Sequence, residues 1–142
     1  MIGFRDLALM NLELMKDTNG DLEKVFLGTL LLRPLLKEVV TIVSDNDFQK
    51  TENMKIYAVM MAMGLNNKPH DLITVTDALH KSGQLEKIGT AHYVASLTEI
   101  LPLTKEELVN VARSIHERSE TARRADEEMR QALANLMATN NQ

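Results

Sequence analysis

Cysteine is absent from all 142 residues. That removes disulfides, thiolate zinc sites and thiol nucleophiles, and it fits a reducing compartment. No apolar run approaches the ~18 residues that a membrane span requires. The opening MIGFRDLALMNLELMK places charges where a signal peptide needs an uninterrupted apolar centre, so a soluble, cytoplasmic protein is expected. Basic charge is also short, with 16 Lys and Arg against 20 Asp and Glu and a net charge of −4. A stand-alone nucleic-acid binder draws most of its affinity from phosphate neutralisation and normally shows a basic excess. None of the six glycines begins a Gly-x-x-x-x-Gly-Lys-Ser/Thr loop, and there is no Gly-x-Ser-x-Gly elbow and no dinucleotide fingerprint. His70, His80, His92 and His116 are too scattered for the i,i+4 pair that puts two imidazoles on one helix face. They read as ordinary, partly exposed histidines. Glu106–Glu107 and Glu127–Glu128 are sequence neighbours that do not face each other on a helix, so they read as a solvated face rather than an acid/base pair. No catalytic residue, metal or cofactor is expected, and nothing supports an autonomous enzyme.

What the sequence does contain is helical spacing almost throughout. The length suits one domain, or one domain with an appended element, and suffices for a core without a metal or disulfide staple. Phe4, Leu7, Met10 and Leu14 predict a short amphipathic helix, closed by the turn-like DTNGD at 17–21. Asp21 can cap the next helix, whose face is Leu22, Val25, Phe26, Leu30 and Leu31. Pro34 suits the first turn of a further segment, LLKEVVTIV, for which helix is preferred although its β-branched residues leave a strand open. SDNDF at 44–48 is a polar turn ending in one aromatic. Residues 52–65 form a helix with Ile56, Val59, Met60 and Met63 on one side. The methionines there could line an adaptable groove, but at this spacing they read as core filler.

The stretch PHDLITVTDALHKSGQLEKIG, 69–89, has the outline of a DNA-reading helix-turn-helix. Asp71, Asp77 and Glu86 face only Lys81 and Lys87, which is too nearly neutral for a recognition unit. Thr74 with Asp77 fits a capping box, which predicts a helix from Val75 to Ser82 that stops at Gly83. Another helix is expected over 91–100. Pro102 then marks a turn, and Thr104 with Glu107 forms a second capping box.

From Lys105 to about Ala138 there is no glycine and no proline. Such a helix is about 50 Å long. Leu108, Val111, Ala112, Ile115, Ala122, Ala125, Met129, Leu133 and Leu136 form its apolar stripe, thin at Ser119 and Asp126. Charged residues cover the rest, with Glu120/Arg124, Arg124/Glu128 and Asp126/Arg130 at i,i+4 spacing. A small head cannot cover so long a stripe, so another helix or another subunit is expected on it.

From Asp21 to about Arg124 the chain resembles the N-terminal domain of the DnaB-type replicative helicases of bacteria and their phages. LEKVFLGTLLL is similar to that family's first helix, SDNDF to its acidic turn and IYAVMMAM to the helix after it. Pro69, Asp71, Thr74, Val75, Leu79, Gly83, Leu85, Ile88, Gly89, Tyr93 and Leu97 fall on the family pattern in register, and VARSIHERS resembles the start of its last long helix. The chain departs from the pattern at several positions. Gln49 replaces an aromatic, Asn53 a histidine, Thr90 a second glycine and His70 an apolar residue. The turn near Pro102 lacks an asparagine, and the helix beyond Arg124 is more acidic.

The resemblance implies an all-α fold, with a compact multi-helix head followed by an antiparallel helical hairpin ending in a long C-terminal helix. Residues 1–20 would be an N-terminal extension with a short helix, 21–89 the head, 90–138 the hairpin and 139–142 a tail. It further implies a collar on a helicase ring, with hairpins pairing between subunits as dimers or as a hexameric trimer of dimers. The collar would receive the C-terminal domain of a DnaG-type primase and, in some systems, a loader. ATP and Mg would belong to a RecA-like motor that these residues do not contain. A stand-alone regulator of the same fold, such as a loader, an inhibitor or a phage decoy that binds the host helicase, is the alternative. An autonomous helix-turn-helix DNA binder comes last, and no sequence-specific DNA contact and no membrane contact are expected. The expected interface residues are Tyr93, Leu97, Leu108, Ile115, Ala122, Met129, Leu133 and Leu136. Tyr93 could equally be a core tyrosine that buries its ring and keeps a wet hydroxyl. Phe48 is expected in the core. Arg123 and Arg124 are expected on a solvated face.

Overall fold

A computed structural model describes residues 20–140, so the short helix expected before Asp21 and the last two residues of the tail lie outside the described residues. Five α-helices follow in order: α1 (Asp21–Leu32), α2 (Thr51–Leu65), α3 (Leu72–Lys81), α4 (Thr90–Leu97) and α5 (Lys105–Asn140). Single 3₁₀ turns at Leu36–Glu38, Asp45–Asp47 and Glu86–Ile88 join them, and there is no strand among the described residues. The all-α architecture with a long last helix is the one expected.

The fold is organised around α1. A helix that is apolar on every side must be enclosed, and residues 26–31, FLGTLL, are all buried. α5, α2, α4 and α3 all pack on it. Gly28 permits a close approach of α4, since a Cβ there would lie 2.1 Å from the Leu97 carbonyl oxygen at the end of that helix. Thr29, also buried, donates its hydroxyl to the Val25 carbonyl at 2.8 Å and accepts from the Leu103 N–H at 2.9 Å. It thereby fixes the turn that leads into α5.

α2 presents Asn53, Ile56, Tyr57 and Met60 inward at helical spacing. Tyr57 stacks on Phe48 with ring centroids 5.0 Å apart, Phe26 closes the aromatic cluster, and the Tyr57 hydroxyl donates to the Val43 carbonyl at 2.9 Å. Phe48 is therefore core, as expected. Burial, then the charges of Asp45 and Asp47, push the Tyr57 phenol well above its ordinary range.

The structure differs from the sequence reading in several places; at the start of α1, for one, Gly20 rather than Asp21 is the cap. LLKEVVTIV forms neither helix nor strand; it makes one 3₁₀ turn and further turns, with Leu36, Val39 and Val43 inward. Consecutive β-branched residues disfavour a helix, and with no other strand to pair with, a strand has no partner. α3 begins three residues earlier than expected, because Asp71 rather than Thr74 is its cap and accepts the Thr74 N–H at 2.9 Å. α4 stops at Leu97, which leaves Leu101 outside the helix and 85% exposed. Of the α4 residues expected at an interface, Leu97 packs on α1 and the Tyr93 hydroxyl donates to Asn53 on α2. Lastly, α5 continues to Asn140, so the expected tail is helical as far as it is described.

Thr90 is held at φ 78°, directly after Gly89 at φ 99°. A β-branched residue is strained in this left-handed region, so the glycine missing from the family pattern leaves a backbone cost. Thr90→Gly is expected to raise stability by about 1 kcal/mol, the relief of strain exceeding glycine's entropy cost. Gly28→Ala is expected to lower it by about 3 kcal/mol, at the upper end of overpacking. Urea unfolding of the two variants beside the parent checks both signs.

Candidate protein interface

α5 divides at Ser119 into a buried half and an exposed one. In the first half, Leu108, Ala112 and Ile115 are fully buried at i, i+4 and i+7 against α1. The Thr104–Glu107 capping box expected from the sequence starts it: the Thr104 N–H donates to Glu107 at 3.0 Å and the Glu107 N–H to the Thr104 hydroxyl at 3.2 Å. Those bonds, the N–H first, hold the exposed Glu107 carboxyl below its ordinary range.

Two buried carboxylates then fasten the helix to the head. Glu23, at 0% exposure on α1, accepts from the Gln49 N–H at 2.7 Å, the Lys50 N–H at 3.3 Å, the Asn53 amide at 3.0 Å and Arg118 of α5 at 3.1 Å. Asp47, in the turn before α2, accepts from the Ser44 N–H at 3.0 Å, from His116 Nδ1 at 3.0 Å and from Arg123 at 2.7 Å. Burial alone would raise the Asp47 pKa; the Ser44 N–H, the bonds from His116 and Ser119 and the His116 charge outweigh it and hold the carboxyl below 3.8. Arg123 also reaches Ser119 at 2.9 Å and Glu120 at 3.0 Å. The expectation that Arg123 merely covers a solvated face is therefore corrected: its guanidinium ends on a buried carboxylate. Glu120 meets Arg123, one position short of the Arg124 partner expected at i+4.

Beyond that clamp, residues 121–140 are exposed throughout. This is about 30 Å of helix. Met129, Leu133, Leu136 and Met137 are 65, 53, 59 and 65% exposed. Ile115, Ala122, Met129 and Leu136 recur every seven residues, with Ala125 and Ala132 between them, the pattern of a helix seam whose small residues allow close approach.

The eight residues expected at an interface thus fall into two groups. Ala122, Met129, Leu133 and Leu136 lie on the exposed outer half. Leu97, Leu108 and Ile115 have 0% exposure in the chain's own core, because α1 fills the space where a partner was expected. Tyr93 is half-buried and turned into the head; burial first, then the charges of Glu52 and Glu23, push its phenol up to about 12. Among the described residues no cluster of His, Cys, Asp and Glu could hold a metal, and no helix is long and apolar enough to cross a membrane.

Glu23→Ala removes the acceptor that Arg118 and three other donors share, and is expected to cost about 3–5 kcal/mol in chemical unfolding. Asp47 has a lowered pKa in the folded chain, so its contribution is present above pH 3.8 and is lost as pH falls through the folded value. Asp47→Asn should therefore flatten the acid end of a stability–pH curve.

The comparisons with known proteins agree with this geometry. A family model described as the DnaB-like helicase N terminal domain matches residues 15–117. The chain is 35% identical over 75 residues to the replicative DNA helicase DnaB of Leifsonia xyli, covering 53% of this chain and 16% of that protein. It is 30% identical over 105 residues to the replicative DNA helicase DnaC of Bacillus subtilis, covering 71% of this chain and 22% of that protein. The chain thus spans about a fifth of these relatives, and the match lies in the N-terminal domain rather than the motor. The crystal structure of the N-terminal domain of DnaB helicase from Mycobacterium tuberculosis superposes with a TM-score of 0.75 at 23% identity, over 81% of this chain and 83% of that one. The chain belongs to the DnaB-like helicase N-terminal domain family.

Proposed function

We propose that this domain serves a replicative helicase as a collar, joining further copies of itself through the outer half of α5 and offering a place for the C-terminal domain of a DnaG-type primase. The observation that carries the reading is the exposed seam of Met129, Leu133, Leu136 and Met137 on a helix whose base is clamped to the head. An amphipathic helix with nothing on its apolar side gains most of its stability from packing, and a second copy supplies a matching seam. Two such helices make a dimer, and three dimers a hexameric collar. Helicase activity, ATP and Mg belong in this reading to a motor outside these residues, and the cytoplasm is where the domain works. A helicase loader is a further partner that the same surface could serve.

One observation favours a second reading: the family match ends at residue 117, so the exposed half of α5 lies outside it. A stand-alone regulator that pairs with a host helicase would carry its own seam there.

Light-scattering mass, measured on the chain alone and with the primase C-terminal domain, tests both readings. The collar reading expects a multiple of the monomer mass that gains the primase domain. Leu133→Glu with Leu136→Glu should reduce it to a monomer while changing fold stability by no more than about 0.5 kcal/mol per site, as these positions are exposed. A chain that stays monomeric when concentrated contradicts the pairing. A multimer that ignores primase contradicts the docking and shifts the assignment to the regulator, with the host helicase as the partner to try.

A further inference from the structure

At the opposite end of the head lies a cleft of about 750 Å³, formed where the ends of α1 and α2 meet the Leu36–Glu38 turn. α5 starts near this end, where Leu103 bonds Thr29, and passes Glu23 before it leaves the head. The cleft and the outer half of α5 are thus separated by the length of α1, about 18 Å. Leu31 and Leu36 form the floor, and Gly64 lets Leu36 sit there, since a Cβ at 64 would meet its side chain at 2.7 Å. Around the mouth, Leu32, Val40 and Leu65 are 48, 41 and 86% exposed.

The rim is positive in a chain whose net charge is −4. Arg33, Lys37 and Lys68 come from the two chain stretches that follow α1 and α2, are all exposed, and make no ion pair among the described residues. Asp71, hydrogen-bonded to Thr74, is the one carboxylate in the lining, and Glu38 nearby pairs with Lys105 at 3.5 Å, so three cations stand against one lining carboxylate. His70, on the wall, is held by the Leu30 carbonyl at 2.8 Å.

We propose that this cleft receives a short segment of another protein, in which two or three bulky apolar side chains are flanked by carboxylates. The volume falls within the range of ligand pockets, about 300–1,000 Å³. Apolar anchors in a groove with charge of the opposite sign at the rim are a general mode of peptide recognition. A single-stranded nucleic acid would use the same cations but needs aromatic platforms for its bases; no Phe, Tyr or Trp lines the cleft, and its one imidazole, His70, is tied to the Leu30 carbonyl. A second copy of this chain offers its outer α5, but that helix leaves from the far end of the head and is the element already assigned to pairing. The cleft is left for a foreign partner, and this assignment stands or falls apart from the collar reading.

Two labelled ten-residue probes test it by fluorescence anisotropy on the full chain: Glu-Glu-Leu-Leu-Glu-Glu-Leu-Phe-Glu-Glu, and the same peptide with every Glu replaced by Lys. The acidic probe should bind about tenfold tighter than its lysine counterpart and weaken with salt, as complementary exposed charges do. Leu65→Glu should abolish its binding, and Lys37→Glu with Lys68→Glu should reverse the preference between probes. All three positions are exposed, so unchanged thermal melting confirms that the variants are folded. Equal binding of the two probes, no binding of either, or indifference to these substitutions overturns the proposal. So does an oligo-dT that binds with the lysine dependence expected of the peptide, which makes the occupant a nucleic acid. A fall in light-scattering mass in the lysine variant also overturns it, by making the occupant a second copy.

Discussion

Glu23 has no exposure to solvent and sits on the helix that forms the centre of the core. A carboxylate there is tolerable because two backbone N–H groups, one amide and one guanidinium converge on its two oxygens. The donors come from the start of α2 and from α5, so meeting the needs of one buried charge also sets where those elements sit. An ion pair of this kind adds little net stability over apolar packing, yet it penalises any arrangement that leaves one partner alone. Its contribution is therefore one of position, and Asp47 repeats the device one turn further along α5.

This constraint gives the long helix two different halves. Up to Ser119 the apolar face is used up by α1, with Thr29 tying the entry and Arg118 and Arg123 tying the exit. After Arg123 the same seven-residue pattern continues in solvent. A helix of this length, anchored at its base by charges that cannot be left unpaired, presents its seam in a defined direction. A flexible tail with the same residues would lose more conformational entropy on pairing.

Much of the fold was legible in the sequence, because helical spacing, the Thr104–Glu107 box, the stop at Gly83 and the turn at Pro102 are local signals. The departures at Asn53, His70 and Thr90 were visible as well, although their meanings were not: Asn53 bridges Glu23 and Tyr93, His70 bonds the Leu30 carbonyl, and Thr90 bears backbone strain. The candidate interface was only half legible. Periodicity marks an apolar face without saying what covers it, so Leu108 and Ile115 looked the same as Met129 and Leu136 until α1 was in place. Glu23 was hidden for a related reason, since its guanidinium partner is 95 positions away. A charge inside an apolar run is the one local hint that such a partner exists. The cleft was illegible, because it forms only where the ends of two helices and the turns that follow them come together.

The central claim is that buried carboxylates hold α5 at one angle to the head. The absence of native cysteine makes a direct test simple, with spin labels on Lys81→Cys and Gln131→Cys and the distance between them measured by pulsed electron resonance on dilute protein. The account predicts one narrow distance distribution, broadened or shifted when Arg118→Met and Arg123→Met remove the two ties. A distribution that is broad from the outset, or that stays narrow and unmoved without both arginines, would contradict it.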